Sequence, residues 1–82
     1  MNDAQLLERI VINPKVMLGK PVIKGTRLTV EYIIDRLAHD ASKDDLIEEY
    51  EGLVPDDISA CLLFARKSLS ETDYLPLLAE AS

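Results

Sequence analysis

Eighty-two residues leave room for one small domain with at most one site, which excludes the large catalytic scaffolds. A composition 48% apolar and 29% charged is that of a globular chain, and no apolar run approaches the ~18 residues needed to cross a bilayer, so a soluble protein with no membrane partner is expected. Nine basic and fifteen acidic residues give a net charge of −6, which opposes non-specific attraction to a nucleic-acid backbone.

The charge is graded along the chain. Residues 1–29 carry Arg9, Lys15, Lys20, Lys24 and Arg27 against Asp3 and Glu8, a net of +3, whereas residues 30–60 carry only Arg36 and Lys43 against ten carboxylates, a net of −8. Phosphate contacts are therefore expected from the N-terminal third, and the acidic middle is either a solvated surface or a face for a basic partner. Residues 1–5 have neither a basic n-region nor an apolar h-region, so a cytoplasmic location is expected.

In chain order, Ile10-Val11-Ile12, Val16-Met17-Leu18 and Val22-Ile23 are short apolar runs punctuated by Asn13-Pro14, Gly19-Lys20-Pro21 and Gly25. They predict brief strands and turns, with Lys24-Gly25 as a hairpin tip because glycine takes positive φ freely. A two-stranded hairpin is marginal alone, so this arm must pack on helices or on a second copy.

A first helix is predicted from Thr29 as N-cap, with Val30, Ile33, Ile34 and Leu37 on one face, ending near His39. Ser42-Lys43-Asp44-Asp45 predicts a capping-box start for a short second helix burying Leu46, Ile47 and Tyr50, with Gly52 as the stop. Pro55 opens a third, longer helix with Asp56 and Asp57 at its positive dipole end. Its predicted buried stripe is Ile58, Cys61, Leu62, Ala65 and Leu69, which leaves Leu63 and Phe64 outside it as a dimer interface. The expected organisation is a single all-α domain: a β-hairpin arm at residues 10–29, a three-helix bundle of helix-turn-helix shape at 30–69, and a tail at 70–82.

Catalytic and metal chemistry find no support in these residues. Cys61 falls on the core stripe, where a small buried thiol is inert, and His39 suits a helix C-terminus, where it caps carbonyls. Asp44-Asp45 and Glu48-Glu49 lie on one short helix without converging ligands, and one cysteine with one histidine cannot make a soft-ligand zinc site. Gly19-Lys20-Pro21 lacks the glycine pattern of a phosphate loop. No catalytic residue, metal, cofactor or small-molecule substrate is expected.

The run Ile12-Asn13-Pro14 followed by Gly19-Lys20-Pro21-Val22-Ile23-Lys24-Gly25-Thr26-Arg27-Leu28-Thr29-Val30 resembles the signature of the bacterial proteins grouped as domain of unknown function number 433. The likeness continues through Ser42-Lys43-Asp44-Asp45-Leu46 and Asp57-Ile58-Ser59-Ala60-Cys61-Leu62, while Val54 departs from it, since Ser or Thr there would cap the third helix. The resemblance implies a homeodomain-like helix-turn-helix bundle with an N-terminal β arm, and for some members an antitoxin role opposite a PIN-like nuclease. The basic arm, with Lys15, Lys20, Lys24 and Arg27, is expected to make the promoter-DNA phosphate contacts. Arg27 has an equal alternative in pairing with Glu31 or Asp35 to hold the arm to the bundle. The tail carries Tyr74, Leu75, Leu77 and Leu78 as partner-binding anchors of the kind with which antitoxins hold a toxin; the alternative is a short C-terminal helix packed on the same chain or on the dimer mate. The expected function is thus a dimeric, non-enzymatic regulator; the alternative is a helix-turn-helix-shaped protein-interaction module without nucleic-acid binding.

Overall fold

A computed structural model of the chain describes residues 1–70. Within them the protein is mostly helical, with four helices and one small antiparallel sheet. The elements are α1 (Asp3–Leu7), β1 (Ile10–Val11), a 3-10 turn (Met17–Gly19), β2 (Val22–Ile23), α2 (Val30–Ala38), α3 (Lys43–Glu49) and α4 (Pro55–Ser70).

Helix α1 was not expected from the sequence. It exists because Asn2 and Gln5 form a reciprocal capping box: the Gln5 amide donates to Asn2 Oδ1 at 2.9 Å, and the Asn2 amide donates to Gln5 Oε1 at 2.9 Å. Five residues are too few for a helix to hold alone in water, and α1 gains its support by packing against α4.

Strand β1 pairs with β2 in the register Ile10↔Ile23 and Val11↔Val22. The strand predicted at Val16-Met17-Leu18 does not form. The Asn13 side chain accepts from the Lys15 amide and starts a turn, and Met17, Leu18 and Gly19 then all take positive φ. That backbone cannot enter a ladder, and Leu18 is left 93% exposed. Lys24-Gly25 does reverse the chain, with Gly25 at φ 79° and the Thr26 amide donating to the Ile23 carbonyl. The return leg is a single bridge, Val22↔Thr29, which delivers the chain into α2.

The starts of the remaining helices follow the sequence closely. The Thr29 hydroxyl accepts from the Tyr32 amide at 3.0 Å, and the Ser42–Asp45 box is complete in both directions at 3.0 and 2.8 Å. Helix α4 begins at Pro55 although Val54 has no capping oxygen; Asp57 Oδ2 reaches back to accept from the Val54 amide at 3.1 Å. The core is Ile23, Val30, Ile33, Leu46, Leu53, Ile58 and Cys61, with Phe64 packed against it.

The predicted stripe of α4 is therefore corrected. Ile58 and Cys61 are fully buried, but Leu62 is 43% and Leu69 54% exposed, while Asp57 and Ala60 lie inside. The cause is that α1 and β1 pack on a flank of α4 left to solvent by the three-helix expectation, which shifts the buried face toward Asp57, Ala60 and Phe64. Phe64 is partly buried, packed against its own chain's core, and Leu63 is half-buried.

Candidate functional site

Three of the charged groups in this fold, Arg9, Lys20 and Arg36, join its elements through ion pairs. Arg9, leaving α1, reaches the start of α4, with Nη1 3.0 Å from Asp57 Oδ1 and Nη2 3.7 Å from Asp56 Oδ2. Among the described residues Asp57 is one of two buried polar ones, and the Arg9 guanidinium supplies the opposite charge that its carboxylate needs there. The acidic end of α4 is hence an internal contact as well as a repulsive surface, a role invisible in local sequence because 48 residues separate the partners.

A second junction ties α2 to α3. Arg36 donates from Nη1 to Glu49 Oε2 at 2.6 Å and from Nη2 to Glu49 Oε1 at 2.9 Å, and its Nη1 also donates to the Tyr32 hydroxyl at 3.1 Å. The Tyr32 and Tyr50 hydroxyls share a hydrogen bond across edge-to-face rings. Hydrogen bonds from Tyr50 and Arg36 lower the Tyr32 pKa, and the hydrogen bond with Tyr32 raises that of Tyr50. The guanidinium holds the Glu49 carboxyl below the usual carboxylate range, as the hydrogen bonds from Ser42 do for Asp45.

Cys61 is buried, and burial followed by the neighbouring Asp57 charge pushes its thiol up to about 12, which leaves it unreactive at neutral pH. His39 ends α2 with Nδ1 2.7 Å from the Asp35 carbonyl. Among the described residues no group of three or more His, Cys, Asp and Glu side chains converges on a metal position. No helix of the described residues is long and apolar enough to cross a membrane.

What remains available on the surface is of two kinds. Lys15, Lys24 and Arg27 are exposed, with no side-chain partner among the described residues, whereas Lys20 pairs with Glu31 at 3.0 Å. The structural alternative for Arg27 is not realised, because Glu31 is taken by Lys20 and Asp35 faces His39 at 3.4 Å. Three of the four arm cations border different hollows. Lys24 borders an open cleft with Arg9 and Glu8, Arg27 a second hollow with Asn13 and Gly25, and Lys20 a third on the α2–α4 side.

That third hollow is the second kind of surface. It is an apolar groove of about 460 Å³ between the start of α2 and the last turns of α4, walled by Pro21, Val30 and Ile34 opposite Phe64, Ala65 and Leu69, with Lys20 and Glu31 at its rim. Sequence periodicity missed it because Ala65 and Leu69 were assigned to the core. The signal lay in the apolar pair Val30 and Ile34 at the start of α2, which also faces the groove. Tyr74, Leu75, Leu77 and Leu78 lie outside the described residues.

Comparison with known proteins agrees with this architecture. The crystal structure of a DUF433 member protein from Anabaena variabilis superposes with a TM-score of 0.72 at 28% identity, covering 83% of this chain and 68% of that one. An uncharacterized protein of Archaeoglobus fulgidus is 64% identical over 25 residues, which is 30% of this chain and 69% of the relative. The sequence pattern of the family described as "Protein of unknown function (DUF433)" matches residues 10–65, from β1 to the groove-lining part of α4, and the chain belongs to that family.

Proposed function

We propose that the protein is a non-enzymatic cytoplasmic regulator of the antitoxin type, a homodimer that holds a PIN-like nuclease through its C-terminal segment and contacts promoter DNA through its arm. On this reading α2, α3 and α4 are the helices of a homeodomain-like helix-turn-helix unit. The observation that carries it is the division of labour among side chains. Arg9, Lys20 and Arg36 pair with carboxylates of the same chain, while among the described residues Lys15, Lys24, Arg27, Arg66 and Lys67 have no side-chain partner and an apolar groove is open beside α4. Such equipment binds polyanions and proteins; it offers no nucleophile beside a base. In the dimer, Leu63 and the partly buried Phe64 are the contact residues on α4, beside the exposed Leu62.

Electrophoretic retardation of the gene's own upstream fragment in a salt series tests the DNA part. Two copies presenting Lys15, Lys24 and Arg27 each neutralise about six phosphates, so log K should fall with log salt at a slope of roughly −5, and the triple alanine variant should abolish the shift. No retardation at about 50 mM salt favours the second reading, an interaction module of helix-turn-helix shape. The specific support for that reading is the dispersal of the arm cations over three hollows and the acidic start of α4.

A further inference from the structure

We infer, resting on the homodimer reading above, that two copies of this chain meet at the apolar groove between α2 and the end of α4, with Leu18 of each copy seated in the groove of the other.

Leu18 is the feature of the arm that its own fold does not use. It is 93% exposed, and it stands in the left-handed region at φ 59°, between Met17 at 47° and Gly19 at 81°. A residue with a β-carbon adopts that backbone at a cost, and such conformations persist mostly at clamps and contact sites. Here the cost is spent on holding a large apolar side chain out in water. Its exposure shows that Leu18 does not fill the groove of its own chain, yet Lys20, at the groove's rim, follows two residues later, at most ~7 Å of backbone away. Knob and hollow are therefore neighbours on the same molecule.

That arrangement is what a twofold contact requires. In an isologous interface one patch serves both subunits, so an axis passing between Leu18 and the groove seats each knob in the other's hollow. The groove alone is smaller than the ~800 Å² that a stable dimer buries on each partner, but the apolar surface extends beyond it. Leu62 precedes Leu69 by seven residues on the same face of α4, with 43% and 54% of their surfaces exposed, and Met17 stands beside Leu18 at 41%. Together with the groove these side chains supply the apolar centre that such an interface needs. Charge agrees. Lys20 and Glu31 neutralise each other at the rim, so two identical rims meet without like-charge repulsion, and the carboxylates of α3 line no part of the groove. A neutral rim gives a polyanion or a strongly basic protein nothing to steer by.

Sedimentation equilibrium of the full chain and of Leu18→Gly tests this. Glycine removes the knob and accepts the left-handed backbone, so the fold is kept while the dimer dissociation constant should rise at least tenfold. A parent chain that stays monomeric at high micromolar concentration would overturn the inference and the homodimer reading together, leaving the groove to another protein. A parent dimer that Leu18→Gly does not weaken would overturn the inference alone. Chain mixing gives a second readout. When a chain carrying Leu18→Cys is mixed with a tagged chain carrying Ala65→Cys, glutathione disulfide should join the two thiols into a mixed disulfide, itself being reduced to glutathione. Cys61 stays silent because its thiol is buried. The mixed product should form at least tenfold faster than from Asp44→Cys and Ala65→Cys, whose first cysteine lies on α3. Equal rates for the two mixtures would also overturn the inference.

Discussion

The Arg9–Asp57 contact joins α1 to α4, and the consequence of breaking it can be worked from its geometry. Asp57 serves two donors at once, the Arg9 guanidinium at 3.0 Å and the Val54 amide at 3.1 Å, with side-chain exposures of 32% for Arg9 and 10% for Asp57. Exposed pairs contribute up to about 1 kcal/mol, and breaking fully buried ones costs about 3–5; a pair with one partner a third exposed falls between, at about 2 kcal/mol. Losing the capping acceptor adds about 1 kcal/mol. Asp57→Ala should therefore cost about 3 kcal/mol, a large share of the ~5–15 that stabilise a typical domain. Asp57→Asn keeps an oxygen for the Val54 amide, and Arg9→Met keeps most of the apolar stem, so each should cost about 2 kcal/mol. Urea unfolding at pH 7 followed by circular dichroism measures all three, and the double variant Arg9→Met/Asp57→Asn should show a coupling energy of about 1–2 kcal/mol. A coupling energy indistinguishable from zero would refute the reasoning, because α1 would then be held without the ion pair.

Other consequences are simpler to state. Native Cys61 should not react with a thiol reagent at pH 8, and labelling should appear only at the rate of global opening; rapid labelling would contradict its burial. Because its pKa is raised on folding from 9.0 to about 12, stability should be intact below pH 9 and decline as pH rises through that interval, a decline that Cys61→Ala should reduce. Gly25→Ala has space around the new methyl group but φ of 79°, so the cost should be the left-handed backbone penalty of about 1 kcal/mol, with Gly25→Asn milder; equal stability of all three would remove the turn argument. Glu49 and Asp45 have folded pKa values below their ordinary 4.5 and 3.8, so the stability they confer is present above those values and is lost as pH falls through the lower folded ones. An acid-unfolding curve should accordingly flatten below about pH 5 in Glu49→Gln/Asp45→Asn relative to the parent.

The parts of the fold legible in the sequence are those fixed within a few residues. Thr29, the Ser42–Asp45 box and Pro55 mark the starts of α2, α3 and α4 because capping is a contact across three positions. Helix α1 escaped because its box uses Asn2 and Gln5 and its five residues hold only Ala4, Leu6 and Leu7 as apolar groups, too short a run to show a helical repeat. That omission carried forward: without α1 beside α4, periodicity alone could not say that Ala60 and Phe64 turn inward while Leu62 and Leu69 turn outward. The candidate surfaces divide in the same way. Exposure of Lys15, Lys24 and Arg27 followed from composition and turn chemistry, but their separation, the Lys20–Glu31 pair and the Arg9–Asp57 latch depend on where distant segments meet.

The proposed function has the protein bind a nuclease without catalysing a reaction itself. The most direct measurement is titration of the full chain into a purified PIN-like nuclease, with RNA cleavage followed in the same samples. Stoichiometric loss of cleavage, weakened at least tenfold by Leu77→Asp/Leu78→Asp, is the predicted result. Undiminished cleavage with no heat of association would contradict it.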